Sequence, residues 1–339
     1  MRFNAPDLAL DLGTSTTTLY VKGRGVVISE PTMVLVSASD RHSVRAVGAE
    51  AGYLQGRTTD ALTAIRPLRD GVIDDFDTTE VLVRYFIRKA IGASYLRKPR
   101  VVVSVPVGLP AVNRKAILEA VHLAGARKVY LVEKPLAAAI GSGLPVYDPV
   151  GSMVVDMGGG TTDTAVVSLG GVVVSQSIQV GGARMDEAIV NYLKRNSSML
   201  IGERTAENVK IDLASAIAID DGRKVRIRGR DLLSSHAMDV EFTSAQAHEA
   251  VMEPCKAVLS SIRWVLERTP PEIASDIMRT GIHLTGGASR LYGIDQFIGK
   301  ELGIPVLLAR EPEDCTITGL GHIVDNATLM ESLVDANEE

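Results

Sequence analysis

Two short segments end an apolar run on an aspartate and then turn through glycines and hydroxyl residues. They are Asp11-Leu12-Gly13-Thr14-Ser15 and Asp156-Met157-Gly158-Gly159-Gly160-Thr161, each leaving on a second apolar run. Backbone N–H groups in such turns, with Thr and Ser hydroxyls, suit phosphate oxygens, and a carboxylate at the strand end suits water-bound Mg2+. Two of these turns facing one another would clamp a triphosphate. Asp11, Gly13, Thr14 and Ser15 then form one jaw, and Asp156, Gly158, Gly159, Gly160 and Thr161 the other. Asp163, just beyond the second turn, adds a further carboxylate to the metal shell.

Other phosphate sites do not fit. A Walker A loop needs Gly-x-x-x-x-Gly-Lys-Ser/Thr, whereas "GIDQFIGKE" has five intervening residues and ends in Glu301. The pair Gly23 and Gly25 lies between strands, without the helix of a dinucleotide fingerprint. Cys255 and Cys315 are far apart and the six histidines are scattered singly, which signals neither zinc nor a disulfide framework.

The elements that must carry the turns alternate between periods of two and 3.6. Strands are expected at 7–12, 16–22, 25–28 and 32–37, then a helix through "TTEVLVRYFIRKAIG" capped by Thr78 or Thr79. The strand "RVVVSVP", a helix closed by Gly125, the strand "KVYLV" and a helix opened by Pro135 complete a first half. A second half has strands at 152–156, 163–168, 171–179 and 281–285, with helices near 184–197, 203–214, 243–267 and 290–301. Lys224, Arg226, Arg228 and Arg230 alternate along one strand and read as the solvated face of a sheet edge.

At 339 residues, with 46% hydrophobic and only 4% aromatic residues, the chain suits two α/β domains whose cores are aliphatic. A net charge of −5 argues against a general nucleic-acid binder. No apolar run reaches 18 residues, and the expectation is a cytoplasmic protein that does not span the membrane.

The paired turns resemble those of the actin, sugar kinase and heat-shock chaperone ATPase superfamily. Within it the chain resembles the MreB/Mbl family of bacterial actin-like cell-shape proteins. The resemblance rests on "DLGTSTT", "EPTMVLV", "IRPLRDGVIDDF", "KPRVVVSVP", "AAAIGSGLP", "VVDMGGGTTD", "MDEAIV", "IGERTAENVKI" and "IHLTGGAS", in family order over nearly the whole chain. It implies an α/β, actin-like duplicated fold with ribonuclease H-like cores and a nucleotide cleft between the lobes. Domain I is expected over 1–145 with an insert at about 32–75, and domain II over 146–312 with an insert at about 183–252. A C-terminal helix at about 313–339 is expected to pack back on domain I. It also implies a protein that binds ATP or GTP with Mg2+ and polymerises with itself. Its filaments would lie at the inner face of the cell membrane with membrane proteins of cell-wall synthesis and shape. A small-molecule kinase or phosphatase of the same superfamily is the alternative, as is a specialised paralogue that positions an organelle or plasmid.

Carried over by residue, the nucleotide set gains Thr16 and Thr162 in the two turns. Gly182, Glu203, Glu207 and Lys210 join it near the adenosine, with Gly286, Gly287 and Ala288 in the second adenosine segment. Thr161 and Asp163 are the implied catalytic helpers. Three departures sit at the nucleotide side. Lys134 stands where the family has the Glu that positions water, which implies weak hydrolysis; Ala183-Arg184 stands where the family tends to have Asp-Glu or Asp-Lys, and Ala288 replaces a Gly. A fourth lies in the loop "GASYLRKPR", where the family dips apolar residues into the bilayer. Tyr95 and Leu96 are kept, Arg97 takes an apolar place, and Arg97, Lys98 and Arg100 are left for anionic headgroups.

Overall fold

The computed structural model describes residues 5–56, 61–92, 98–219 and 221–330. In the first half β1 (Leu8–Leu12), β2 (Thr16–Val21) and β3 (Gly25–Pro31) form a meander. A small sheet of β4 (Val34–Ser37), β5 (Asp40–Val47) and β6 (Leu62–Ile65) follows, with α1 (Ala49–Leu54) beside it. The hairpin β7 (Leu68–Arg69) and β8 (Val72–Ile73) leads into α2 (Phe76–Ile91), β9 (Arg100–Val105), α3 (Ala111–Leu123), β10 (Lys128–Glu133) and α4 (Lys134–Gly141). The main sheet runs β10-β9-β1-β2-β3, with β10, β9 and β1 parallel and the meander antiparallel.

The second half repeats this diagram. Its meander is β11 (Ser152–Met157), β12 (Thr162–Ser168) and β13 (Gly171–Ile178), followed by α5 (Gly182–Ser197). Next come β14 (Met199–Leu200), α6 (Glu203–Leu213), β15 (Lys224–Asp231), β16 (Ala237–Thr243) and α7 (Ser244–Arg268). Then follow α8 (Pro271–Thr280), β17 (Ile282–Thr285), a 3-10 turn at Gly287–Arg290, α9 (Ile294–Leu302), β18 (Val306–Leu308) and α10 (Cys315–Asp325). The sheet order is β18-β17-β11-β12-β13, so β11 occupies the place of β1, β17 that of β9 and β18 that of β10. Crossover helices cover both faces, which is why β9 and β11 are buried along almost their whole length and are written in Val and Met rather than in alternation.

Several boundaries move from their expected places for local reasons. Helix α2 begins before Thr78 because Asp75 caps it, accepting from the Thr78 N–H at 2.9 Å. Lys134 rather than Pro135 is the first residue of α4. The helix expected at 290–301 is a 3-10 turn and then α9, separated by Gly293 at φ 73. The basic strand is not an edge throughout: β15 lies between β14 and β16, though β14 pairs only with its last two residues. Its cations do face outward, where Lys224 meets Glu241 at 2.9 Å and Arg226 meets Asp239 at 2.8 Å.

Helix α10 leaves the second half and packs on α4 and on β1, β2 and β9 of the first. Ile317, Leu320, Ile323 and Val324 there join Ala9, Val102, Val132 and Ala137 in one apolar cluster. The crossing with α4 is close because glycines face backbone: a Cβ on Gly141 would lie 1.8 Å from the Cys315 carbonyl oxygen, and one on Gly319 1.8 Å from that of Ala137. A second seam, of Ala138, Ala139, Val154, Ala165 and Val167, joins α4 to the second sheet. Among the described residues no helix is long and apolar enough to cross a membrane.

Candidate nucleotide site

The two turns are built alike. In the β1–β2 turn the Gly13 N–H donates to the Thr16 carbonyl at 3.1 Å, and in the β11–β12 turn the Gly158 N–H donates to the Thr161 carbonyl at 2.8 Å. Their tips meet: a Cβ on Gly159 would lie 2.2 Å from Ser15 Oγ, and one on Gly160 2.4 Å from Thr14 Oγ1. Glycine at both positions is what lets the jaws approach. Thr32 braces the first turn, donating from Oγ1 to the Gly13 carbonyl at 2.7 Å. The Gly71 N–H donates to Thr14 Oγ1 at 3.2 Å.

The second turn rests on the start of α5, whose Gly182 and Ala183 N–H groups donate to the Gly158 and Gly159 carbonyls at 3.0 and 2.8 Å. Gly182 is also the meeting point of the expected adenosine segments. A Cβ there would have Lys210 Nζ at 3.2 Å, Ala288 Cβ at 3.9 Å and the Gly159 Cα at 4.0 Å. Gly286, at φ 80, passes against the Met157 backbone where only glycine fits. Glu203, Glu207 and Gly287 are exposed around this cluster, and Thr16 is exposed at the start of β2. Thr162 is set apart: it is fully buried, and its hydroxyl donates to the Val180 carbonyl at 2.6 Å.

Behind the turns three aspartates converge from the two sheets. Asp156 lies opposite Asp163 on β12 and Thr285 on β17, and Thr285 Oγ1 donates to its Oδ1 at 2.9 Å. Burial raises its carboxyl to about 6, against the pull of the Lys134 charge. Asp163 accepts from the Val107 N–H at 3.1 Å and from Thr161 Oγ1 at 2.9 Å, so it links the two halves. Burial raises its pKa too, again opposed by Lys134. Asp11 accepts from Ser104 Oγ and, at 3.0 Å, from Lys134 Nζ.

The sequence pointed to Lys134 but not to Ser104, Val107 or Thr285, the groups that hold the carboxylates. Ser104 had a signal, a lone hydroxyl in a strand of valines. Asp186 was also missed as a site residue; on α5 it meets Lys210 Nζ at 2.9 Å, and burial raises it to about 6. Glu133, at the end of β10, is partly buried and has Arg114 at 4.0 Å; burial raises its pKa, Arg114 opposes the rise and the Asp163 charge adds to it. Tyr95, Leu96 and Arg97 lie outside the described residues. Arg100 is not left for headgroups, since its guanidinium holds both Asp7 oxygens, at 2.9 and 2.6 Å.

Aspartates and hydroxyls have the chemistry of a hard-cation shell. Yet the three aspartates do not close on one point: among the described residues no group of three or more acidic, His or Cys side chains is placed to ligate one metal ion directly. The cation already seated on Asp11 is the chain's own ammonium. A divalent metal resident on the protein does not fit this arrangement.

The model of the MreB/Mbl protein family matches residues 5–332. The cell shape-determining protein MreB of Escherichia coli K12 is 47% identical over 94% of this chain and 93% of its own length. Crystal structures of MreB5 of Spiroplasma citri bound to ADP and to AMPPNP superpose at TM-score 0.90 and 30% identity, each covering 98% of this chain and 98% and 99% of theirs. The MamK double helical filament structure matches at TM-score 0.78 and 21% identity over 94% of this chain and 99% of that one, a likeness of fold.

Proposed function

The chain belongs to the MreB/Mbl family, and from that membership we propose that it is an actin-like cytoskeletal protein that binds ATP between its two turns. Copies then add head to tail; a contact of that kind that does not close on itself gives an open filament. The filaments lie on the inner face of the cell membrane and meet membrane proteins of cell-wall synthesis. The observation that carries the nucleotide reading is the meeting of two equivalent turns, Gly159 and Gly160 against Ser15 and Thr14. The ADP and AMPPNP in the MreB5 structures favour an adenine over a guanine nucleotide.

In this reading the turns' N–H groups and the Thr14 and Ser15 hydroxyls hold phosphate oxygens, while the Thr161 hydroxyl stays on Asp163. Lys210 and Asp186 stand on the adenosine side with Gly182 and Ala288. Mg2+ arrives with the nucleotide and keeps its water. Calorimetry with AMPPNP tests the clamp: Gly160→Val places a branched side chain against Thr14 and should weaken binding at least about tenfold, or roughly 1.4 kcal/mol. Equal affinity in the variant would remove the clamp. Sedimentation with ATP tests assembly, and a chain that binds AMPPNP but never pellets favours a soluble kinase or phosphatase.

A further inference from the structure

Lys134 is placed against the preferences of its own helix. It is the first residue of α4, where the helix dipole disfavours a cation, and no acidic residue lies in that turn. Its side chain is only 12% exposed. Burial pulls its pKa down, but Asp11, Asp156 and Asp163 together outweigh burial and hold it above the ordinary lysine value. The site, not the helix, seats this ammonium.

Each of the three carboxylates already has at least one oxygen taken by a donor of the chain itself. Asp11 Oδ1 receives both Lys134 Nζ and Ser104 Oγ. Asp156 Oδ1 receives Thr285, and both oxygens of Asp163 receive donors, from Val107 and Thr161. A triphosphate entering between the turns meets three aspartates and needs positive charge between itself and them. An ammonium has three donors, so one can stay on Asp11 while another turns to a phosphate oxygen.

We propose that Lys134 is a tethered counter-cation that does most of what a divalent metal would do between the phosphates and the strand-end aspartates, so that nucleotide binding by this chain requires little Mg2+. This rests on the nucleotide reading above. The ammonium screens Asp11, Asp156 and Asp163 from the phosphates and supplies a charged hydrogen bond, which a metal's water shell would otherwise supply.

The test is the AMPPNP affinity of the full chain, measured by calorimetry in excess Mg2+ and in excess EDTA. For the native chain the two affinities should differ by less than about tenfold. In Lys134→Met, and in Lys134→Gln as a second variant, the ratio should rise above the native one, while Lys134→Arg should keep it nearer native than either. Circular dichroism and unfolding identify a variant that has lost its fold, and the native ratio decides the matter without any variant. A native ratio of tenfold or more, or folded Met and Gln variants whose ratio does not rise, overturns the proposal. A native chain that does not bind AMPPNP even in Mg2+ overturns the nucleotide reading itself, and this inference with it.

Discussion

A protonated lysine has three donors and no acceptor, so Lys134 cannot take the proton of an attacking water. The three aspartates that raise its pKa make its neutral form scarcer still. Phosphate release from ATP should therefore be near background in the native chain. Lys134→Glu restores an acceptor at the start of α4 and should be at least about tenfold faster, well below the roughly hundredfold or more that a positioned base typically contributes. Native turnover that matches or exceeds the Glu variant would sink the idea. Asp156 makes a different prediction, about pH. Its folded pKa, about 6, lies above the ordinary 3.8. Its contribution to stability is therefore fully present below about 3.8 and is lost as pH rises through about 6, because the unfolded chain releases that proton first. Asp156→Asn keeps an acceptor for Thr285 and no longer titrates. Without nucleotide, the variant should gain in Tm over the native chain between pH 5 and pH 7.5, and a constant difference across that range would show that Asp156 does not titrate there. Which residues mark the site was legible in the sequence, because Asp-x-Gly turns and a displaced lysine are local patterns. That Lys134 pairs with Asp11 was not, because β9 separates β1 from β10 and the pair exists only once the sheet is ordered.

At the scale of elements, the repeated strand-turn-strand unit was legible because each unit is contiguous and its apolar runs are long. Helix starts were less so. The α2 start depends on a side-chain cap from Asp75, and a neighbouring Thr offers nearly the same signal. The crossing of α4 on α10 is a pairing of distant segments, and Gly141 and Gly319 look unremarkable until the two helices meet. That crossing gives a sharp test. Gly319→Ala drives a methyl into the Ala137 carbonyl and Gly141→Ala one into that of Cys315, so either must spread the helices. Each should cost about 1–3 kcal/mol or more in urea unfolding. Gly171→Ala is the control: its nearest neighbour would be 4.0 Å away and its φ is not positive, so it should be neutral or slightly stabilising. Equal effects at the three positions would mean that the helices do not meet this closely.

Over the whole molecule, charge and assembly would set the strength of the proposed membrane contact. Its net charge of −5 opposes approach to anionic lipid, so an attraction would have to be local, and the proposed place for it is the loop before β9. Of the cations near that loop, Arg100 is held by Asp7, which leaves the exposed Lys98 and the loop's own Arg97. Each basic residue near an anionic surface contributes about 1 kcal/mol, and two small apolar anchors, Tyr95 and Leu96, add little that is permanent. A single copy should therefore bind marginally. The proposed filament would present many such loops at once, and linked weak contacts multiply without any new one being made. Liposome flotation should accordingly find the chain with anionic vesicles only under conditions in which it also pellets as polymer. The floated fraction should fall steeply as salt rises from about 0.1 M to 0.5 M, where screening shortens from about 10 Å to a few. Tyr95→Ser with Leu96→Ser should reduce flotation without changing pelleting. Monomer that floats as well as polymer, or binding indifferent to salt and to lipid charge, would show that the membrane contact lies elsewhere on the chain.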